Sequence, residues 1–440
     1  MKKIILAALC CAGVVHFAIA QQSCTQPFLG SKALYKSQQL QYGPVPRGYK
    51  PVFINHAGRH GARHLTKDVS TYPLYQLLAD AEKANALTKA GKLLKEKTDR
   101  LQKVEKNYLK SISVEGVNEQ YGLANRTYAN YSNVFKTQKL VLHIDYTKEI
   151  RTLQTCDAFV AELKTKINNN DTLITKKIND TTLRFYDMSA AYTAYKDSGY
   201  WKKYLTQLKD LENYTAIANK IAATFFTASF LKTHAGAAEK IASDLYGFIT
   251  IFYSVQSEII NAGYTLTQVD MREFIDCNSL HILSVIDDAE AFYEKGPGDN
   301  INGIQVTIAA PLLEDFIKAA DEYIATQSMN AKLRFCHAET IAPIAALMGL
   351  ENASKPTNKV KDVYGIWRDD KVIPLSSNIQ WVFYKKPGAN KYLVKFLLNE
   401  KEVKVNGIPA TQYRNYYNWD DVSAFYVNKL QNLASGSHPM

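Results

Sequence analysis

The chain has 440 residues, 53 basic and 42 acidic, and a formal net charge of +11. That length exceeds one compact domain, so a core with a substantial insertion, or two domains, is expected. The basic balance favours anionic partners, but the chain carries no RNA-binding signature, zinc-finger spacing or compact Lys/Arg tract, so nucleic acid is not expected among them.

Lys2 and Lys3, the apolar run IILAALCCAGVV and the small-residue triplet Ala18-Ile19-Ala20 form the pattern of a signal peptide over residues 1–20. No other run reaches the roughly 18 apolar residues that a spanning helix needs. The expectation is an exported protein without a membrane span, suited to a bacterial periplasm or to secretion. Setting Lys2 and Lys3 aside leaves about +9. Cys24, Cys156, Cys277 and Cys336 remain, and their three full pairings stay open. Oligomeric state is not legible.

PVFINHAGRHGARH begins as a short strand, roughly Val52 to Asn55, and runs into a Gly-bearing turn. A long helical pattern follows from about Thr71 to Tyr108. LVLHIDYT (140–147) reads as a second strand, and EIRTLQTCDAFVAEL as a helix that carries Arg151 near its start. NNND and KKINDTT read as loops, followed by helical patterns such as IANKIAATFFTASFL and AAEKIASDLYGFITIFYSVQSEII. After GPGD (296–299) come a helix near APLLEDFIKAADEYIA, a strand at AKLRFC, a His-Ala-Glu tripeptide and another helix. WVFYKK and YLVKFLLN, separated by PGANK, read as an antiparallel pair. The expected fold is α/β, with a central, mainly parallel sheet flanked by helices over 21–167 and 277–440. A mainly helical cap is expected as an insertion over 168–276.

The stretch HAGRHGARH (56–64) carries the chemistry. Three histidines four apart suggest zinc on one helix face. Gly58 and Gly61 discourage that helix, Arg59 and Arg63 would crowd a dication, and no HExxH or nearby carboxylate completes a ligand set. No metal or other cofactor is expected. A phosphate site uses every feature instead: guanidinium forks match phosphate oxygens, and a turn into a helix offers backbone N–H groups to an anion. Gly61 would let the backbone approach the ligand, and a histidine between the arginines can act as nucleophile.

Arg59-His60-Gly61-Ala62-Arg63 resembles the signature of the histidine acid phosphatases, and His337-Ala338-Glu339 stands where most of that clade has His-Asp. The His-Ala-Glu form is similar to the multiple inositol polyphosphate phosphatases. GVNEQYGLANRTY (116–128), Arg151 after a strand and the order of elements from about 40 to 400 extend the resemblance. Leu65 departs from the proline many relatives carry there. The resemblance implies His60 as nucleophile, forming a phosphohistidine, with Arg59, Arg63, Arg151 and His337 around the phosphate. Glu339 is the candidate general acid. If residues 337–339 continue a strand, His337 and Glu339 share a face; if the helix begins at 337, they do not.

Inositol polyphosphates such as phytate are the expected substrates, on the His-Ala-Glu resemblance more than on charge. His64 and Lys67, and in the insertion Arg184, Lys196, Lys202 and Lys203, are candidates for contacts to further phosphates. His56 and His64 otherwise read as structural or rim residues. The alternatives are a histidine acid phosphatase of broad or sugar-phosphate specificity and a catalytically silent binder of polyanions.

Overall fold

The computed structural model describes Cys24 and residues 27–37, 42–167 and 171–435. The signal-peptide expectation at 1–20 lies outside them. Among the described residues no helix is long and apolar enough to cross a membrane.

One sheet organises the molecule. Its strands are β1 (Lys50–Arg59), β2 (Leu140–Tyr146), β3 (Thr172–Ile178), β4 (Ala331–Cys336), β5 (Asn378–Lys385), β6 (Leu393–Leu398), β7 (Lys401–Glu402) and β8 (Tyr417–Asn418). The order is β3-β2-β4-β1-β5-β6-β7, and β8 pairs with β6. The half β3-β2-β4-β1 is parallel, and β5 turns antiparallel against β1. The strands read as WVFYKK and YLVKFLLN are indeed antiparallel neighbours, and they extend the same sheet.

Both faces are covered, so β1, β4 and β5 are buried along nearly their whole length rather than on alternate residues, and polar members such as Asn55 and Arg334 are buried with the rest. On one face Ile54, Leu142, Ile144, Leu333 and Phe335 pack with Leu123, Phe159 and Leu163 from the helices Val114–Phe135 and Ile150–Lys166. On the other, Phe53, Ala57 and Trp381 meet the helices Ala310–Thr326, Ala338–Leu347 and Trp419–Ser435. Trp381 is fully buried and lies parallel to Tyr426, with ring centroids 5.5 Å apart.

Three readings of the sequence need correction. Strand β1 runs on to Arg59, four residues past the expected end, so the first half of HAGRHGARH is sheet. The long helical pattern divides into Pro73–Lys83 and Lys89–Glu105, because Asn85 takes a left-handed φ of 53° that no helix continues. The segment 168–276 contains β3, paired in parallel with β2, where KKIND was read as loop. Its later helices share an apolar core with Pro73–Lys83, Lys89–Glu105 and the helix Cys277–Lys295.

Cys24 and Cys277 form a disulfide, while Cys156 and Cys336 are free and buried. The bridge ties the chain ahead of β1 to the start of the helix that ends at Lys295.

Candidate active site

Arg59, His60, Arg63, Arg151, His337 and Glu339 converge where open α/β sheets place ligands, beyond the carboxyl ends of the parallel strands. β1 and β4 are neighbours in register, Arg59 opposite Cys336, so the residues that follow, His60 and His337, emerge side by side. Their ring centroids are 5.5 Å apart, edge to face. β2 lies on the other side of β4, and the loop after it delivers Arg151 in the first turn of its helix.

Local chemistry fixes the His60 ring. Its Nδ1 lies 3.0 Å from the carbonyl oxygen of Gly61. A carbonyl only accepts, so Nδ1 carries the proton and Nε2 keeps a free lone pair. Burial and then the charges of Arg59, His337, Arg63 and Arg151 hold its pKa well below the usual histidine value, so the ring is neutral. In His337, Nδ1 is 3.4 Å from Arg151 Nη2, which can only donate, and Nε2 is 2.9 Å from Thr147 Oγ1. The proton therefore sits on Nε2, and burial and then Arg151 lower this pKa to about 3.

Arg59 is buried and donates through Nη1 to the carbonyls of Ser31, at 2.6 Å, and Ile373. Arg63 donates to His64 O at 2.7 Å, and Arg151 pairs with Glu149 at 2.8 Å. The Nε–H of each of these three arginines is buried without a hydrogen-bond partner, and no other arginine nitrogen among the described residues is in that state. Buried donors are rarely left so, because each forfeits its hydration. Burial and then the charges of Arg151 and Arg59 lower Arg63 to about 10, the signature of cations crowded without a counter-ion. An oxyanion among the three guanidinium groups would supply the missing counter-charge and relieve their repulsion.

The backbone contributes less than the sequence suggested. No helix follows the motif directly, because its chain turns and makes a bridge at Arg63 to Ile112. The amides of Arg59, His60, Gly61 and Ala62 are bonded to Ser377 O, Cys336 O, Thr155 Oγ1 and Glu119 Oε2. They are not available to an anion, which leaves that work to side chains. Gly61 serves a different close approach: a Cβ there would stand 2.7 Å from Gly116 O, in the helix Val114–Phe135.

Glu339 enters from β4. The strand ends at Cys336, His337 caps the next helix in extended conformation (φ −130°), and Glu339 lies in its first turn. The shared strand face is therefore not the device that joins His337 and Glu339; the helix start is. Glu339 keeps 38% of its side chain accessible and pairs with Lys295 at 3.2 Å. Burial alone would raise its pKa, but Lys295, followed by His337 and Arg59, holds it well below the usual carboxylate range.

The residues proposed for further phosphates fare differently. His64 is 1% exposed, between Glu105 at 3.4 Å and Glu258 at 3.6 Å. Burial opposes its charge, but the two carboxylates raise its pKa to about 9, which makes it a structural imidazolium and not a pocket-lining group. Its neighbour His56 is a buried neutral ring beside Phe335 and Phe159. Arg184 does reach the site but is committed, donating to Glu149 at 2.8 Å and to Asp187 through Nε and Nη2. Lys67 is exposed and sits over the Tyr72 ring. Lys196, Lys202 and Lys203 are exposed; Lys202 lies over Trp201, and Lys203 over Tyr200 and Tyr204.

Four residues that matter here were not singled out in the sequence: Thr147, Glu149, Lys295 and Glu119. Glu119 accepts from Tyr35 N, Ala62 N and Ser376 Oγ at 2.7–2.8 Å, and burial raises its pKa to about 7. It lies within GVNEQYGLANRTY, and Glu149 stands two residues before Arg151, so proximity to marked residues was the available signal.

Fold and site together define a class. The chain belongs to the histidine phosphatase superfamily (branch 2), whose family model matches residues 58–399. Among characterised relatives it is 22% identical over 338 residues to multiple inositol polyphosphate phosphatase 1 of Gallus gallus, covering 74% of this chain and 70% of that one. The Homo sapiens protein of the same name is 25% identical over 270 residues, covering 58% and 51%. Among solved structures, the Bifidobacterium longum multiple inositol polyphosphate phosphatase in complex with inositol hexasulfate superposes with a TM-score of 0.74 at 20% identity, over 90% of this chain and 96% of that one. The phytase from D. castellii gives 0.61 at 14% identity, over 92% and 85%.

Proposed function

We propose that this protein is an exported phosphomonoesterase that hydrolyses inositol polyphosphates such as phytate through a phosphohistidine at His60. The observation that carries the reading is the trio of unpartnered arginine Nε–H donors around a histidine with a free Nε2. A phosphoryl group in transfer spreads negative charge over its equatorial oxygens, and positioned cations supply most of the catalysis.

In the first step His60 Nε2 attacks phosphorus, a P–N bond forms and the ester P–O bond breaks. Arg59, Arg63 and Arg151 hold the phosphoryl oxygens, with His337 packed edge-on to the nucleophile. Glu339 gives its proton to the leaving alkoxide. Water then attacks phosphorus, Glu339 takes back a proton, the P–N bond breaks and inorganic phosphate leaves. Glu339 is ionised in the free protein, and a substrate phosphate must offset the fields of Lys295 and the arginines for it to carry a proton. Polyphosphorylated substrates bring that extra charge. Inositol polyphosphates are the choice because the named relatives act on them, and because a polysulfated inositol occupies the B. longum protein.

A broad-specificity phosphatase is the second reading. It is favoured by Arg184, whose donors are taken by acids, and by the exposed positions of Lys196, Lys202 and Lys203. Phosphate release from phytate and from a simple aryl phosphate, by the parent and by His60→Ala, separates the readings. Release from phytate that the folded variant loses supports the proposal. Release from the aryl ester alone moves the assignment to the second reading, and binding of phytate without release would leave a polyanion binder.

A further inference from the structure

Glu149 poses an electrostatic puzzle. A site that collects phosphate by positive charge is weakened by a carboxylate, yet Glu149 lies against Arg151 with only 21% of its side chain exposed. Its two oxygens are divided. Oε2 accepts from Arg151 Nη1 at 2.8 Å, and Oε1 accepts from Arg184 Nη1 at 2.8 Å. Arg184 is fixed in turn, because its Nε and Nη2 both donate to Asp187.

The pattern of donors on Arg151 accounts for the arrangement. Guanidinium nitrogens Nε and Nη2 share one edge, and that edge forms the side-on fork for an oxyanion. Glu149 takes Nη1, outside the edge. Nε is buried and unpartnered, and Nη2 makes only the 3.4 Å contact to His337. The acid therefore costs some positive potential and in return fixes which edge faces His337, the ring packed against His60.

We infer that Glu149, braced by Arg184, is a positioning residue that aims the Nε–Nη2 edge of Arg151 at the phosphate. It joins the loop after β2 to the segment around Arg184, so the aim of one phosphate ligand depends on a residue some thirty positions further along the chain. The inference rests on the functional reading above, in which Arg151 binds the scissile phosphate.

The test is a double-mutant cycle on the whole protein, with inorganic phosphate as probe. Binding is measured for the parent, Glu149→Gln, Arg151→Ala and the double variant, with kcat and KM on phytate alongside. Arg184→Met, which removes only the brace, is the second variant should Glu149→Gln fold poorly. The expected result is that Glu149→Gln weakens phosphate binding and lowers kcat by roughly tenfold, within the range for side chains in one ion-pair network. Adding it to Arg151→Ala should then cost nothing further, because there is no guanidinium left to aim. Arg184→Met should shift the same parameters in the same direction by a smaller factor. Additive losses in the cycle, or parent-like binding by Glu149→Gln while Arg151→Ala is weakened, overturn the inference alone. Parent-like binding by Arg151→Ala overturns the functional reading at that residue and the inference with it.

Discussion

Replacing Gly61 with alanine tests whether backbone packing sets the position of His60. The new Cβ would stand 2.7 Å from Gly116 O and 2.9 Å from Gly116 Cα, both backbone atoms of the helix Val114–Phe135 that cannot rotate away. Ordinary contact begins near 3.4 Å, so the two backbones must part by about 0.7 Å. Overpacking of this kind costs about 1–3 kcal/mol. The displaced atoms include Gly61 O, the acceptor that fixes the His60 tautomer. Misplacement approaching 1 Å at a reacting group costs up to roughly a hundredfold in rate, so kcat should fall about tenfold to a hundredfold. Gly116→Ala should be worse, since its Cβ would lie 2.1 Å from Ala62 O. Gly247→Ala is the control: it lies inside the helix Ala238–Phe252 with nothing within 4 Å of its Cβ position, and should leave activity intact and raise stability by about 1 kcal/mol. Thermal melting and phosphate release on the three variants provide the assay. Parent-like kcat and melting temperature in Gly61→Ala would refute the reasoning.

Further outcomes follow from the same geometry. Glu339→Gln should lower kcat/KM, which reports the steps up to ester cleavage, about a hundredfold or more on phytate, whose alkoxide leaving group needs a proton, and far less on p-nitrophenyl phosphate, whose leaving group does not; equal losses in kcat/KM would remove Glu339 from the acid role. The His64 imidazolium, raised from 6.5 to about 9, contributes stability that is complete below about pH 6.5 and lost as pH rises through about 9. That contribution is at most about 3 kcal/mol. Urea unfolding at pH 6 and pH 9.5 should therefore show His64→Gln well below the parent at the lower pH and close to it at the higher. His60, with its pKa lowered, should remain neutral and nucleophilic well below pH 6.5, so kcat/KM should not fall as histidine normally titrates.

The site was legible because its residues sit at strand ends, where a short apolar run gives way abruptly to Arg, His and Gly. The same polarity hid the true end of β1, since His56 and Arg59 look like loop residues but are buried, one among aromatic rings and the other on carbonyls. β3 was missed because edge strands carry lysines that discourage further pairing, and Lys176 and Lys177 made it read as a solvated turn. Lys196, Lys202, Lys203 and Arg184 show another limit. Spacing reveals that a long cation is present, but only tertiary structure shows whether Asp187, Glu149 or an aromatic ring already holds it. Glu149 and Lys295 escaped notice for the same reason, as their importance lies in partners distant in sequence or on another element.

The central claim is a covalent bond between phosphorus and His60, and mass spectrometry of trapped enzyme tests it most directly. Glu339→Gln turning over p-nitrophenyl phosphate should accumulate the intermediate, because the first step there needs no acid whereas the second needs the carboxylate to activate water. Quenched in base, since phosphohistidine is acid-labile, and digested, the protein should show one phosphate on the peptide containing His60, absent from the matching His60→Ala variant. Turnover by the parent with no phosphorylated peptide, or with the phosphate on another residue, would contradict the account.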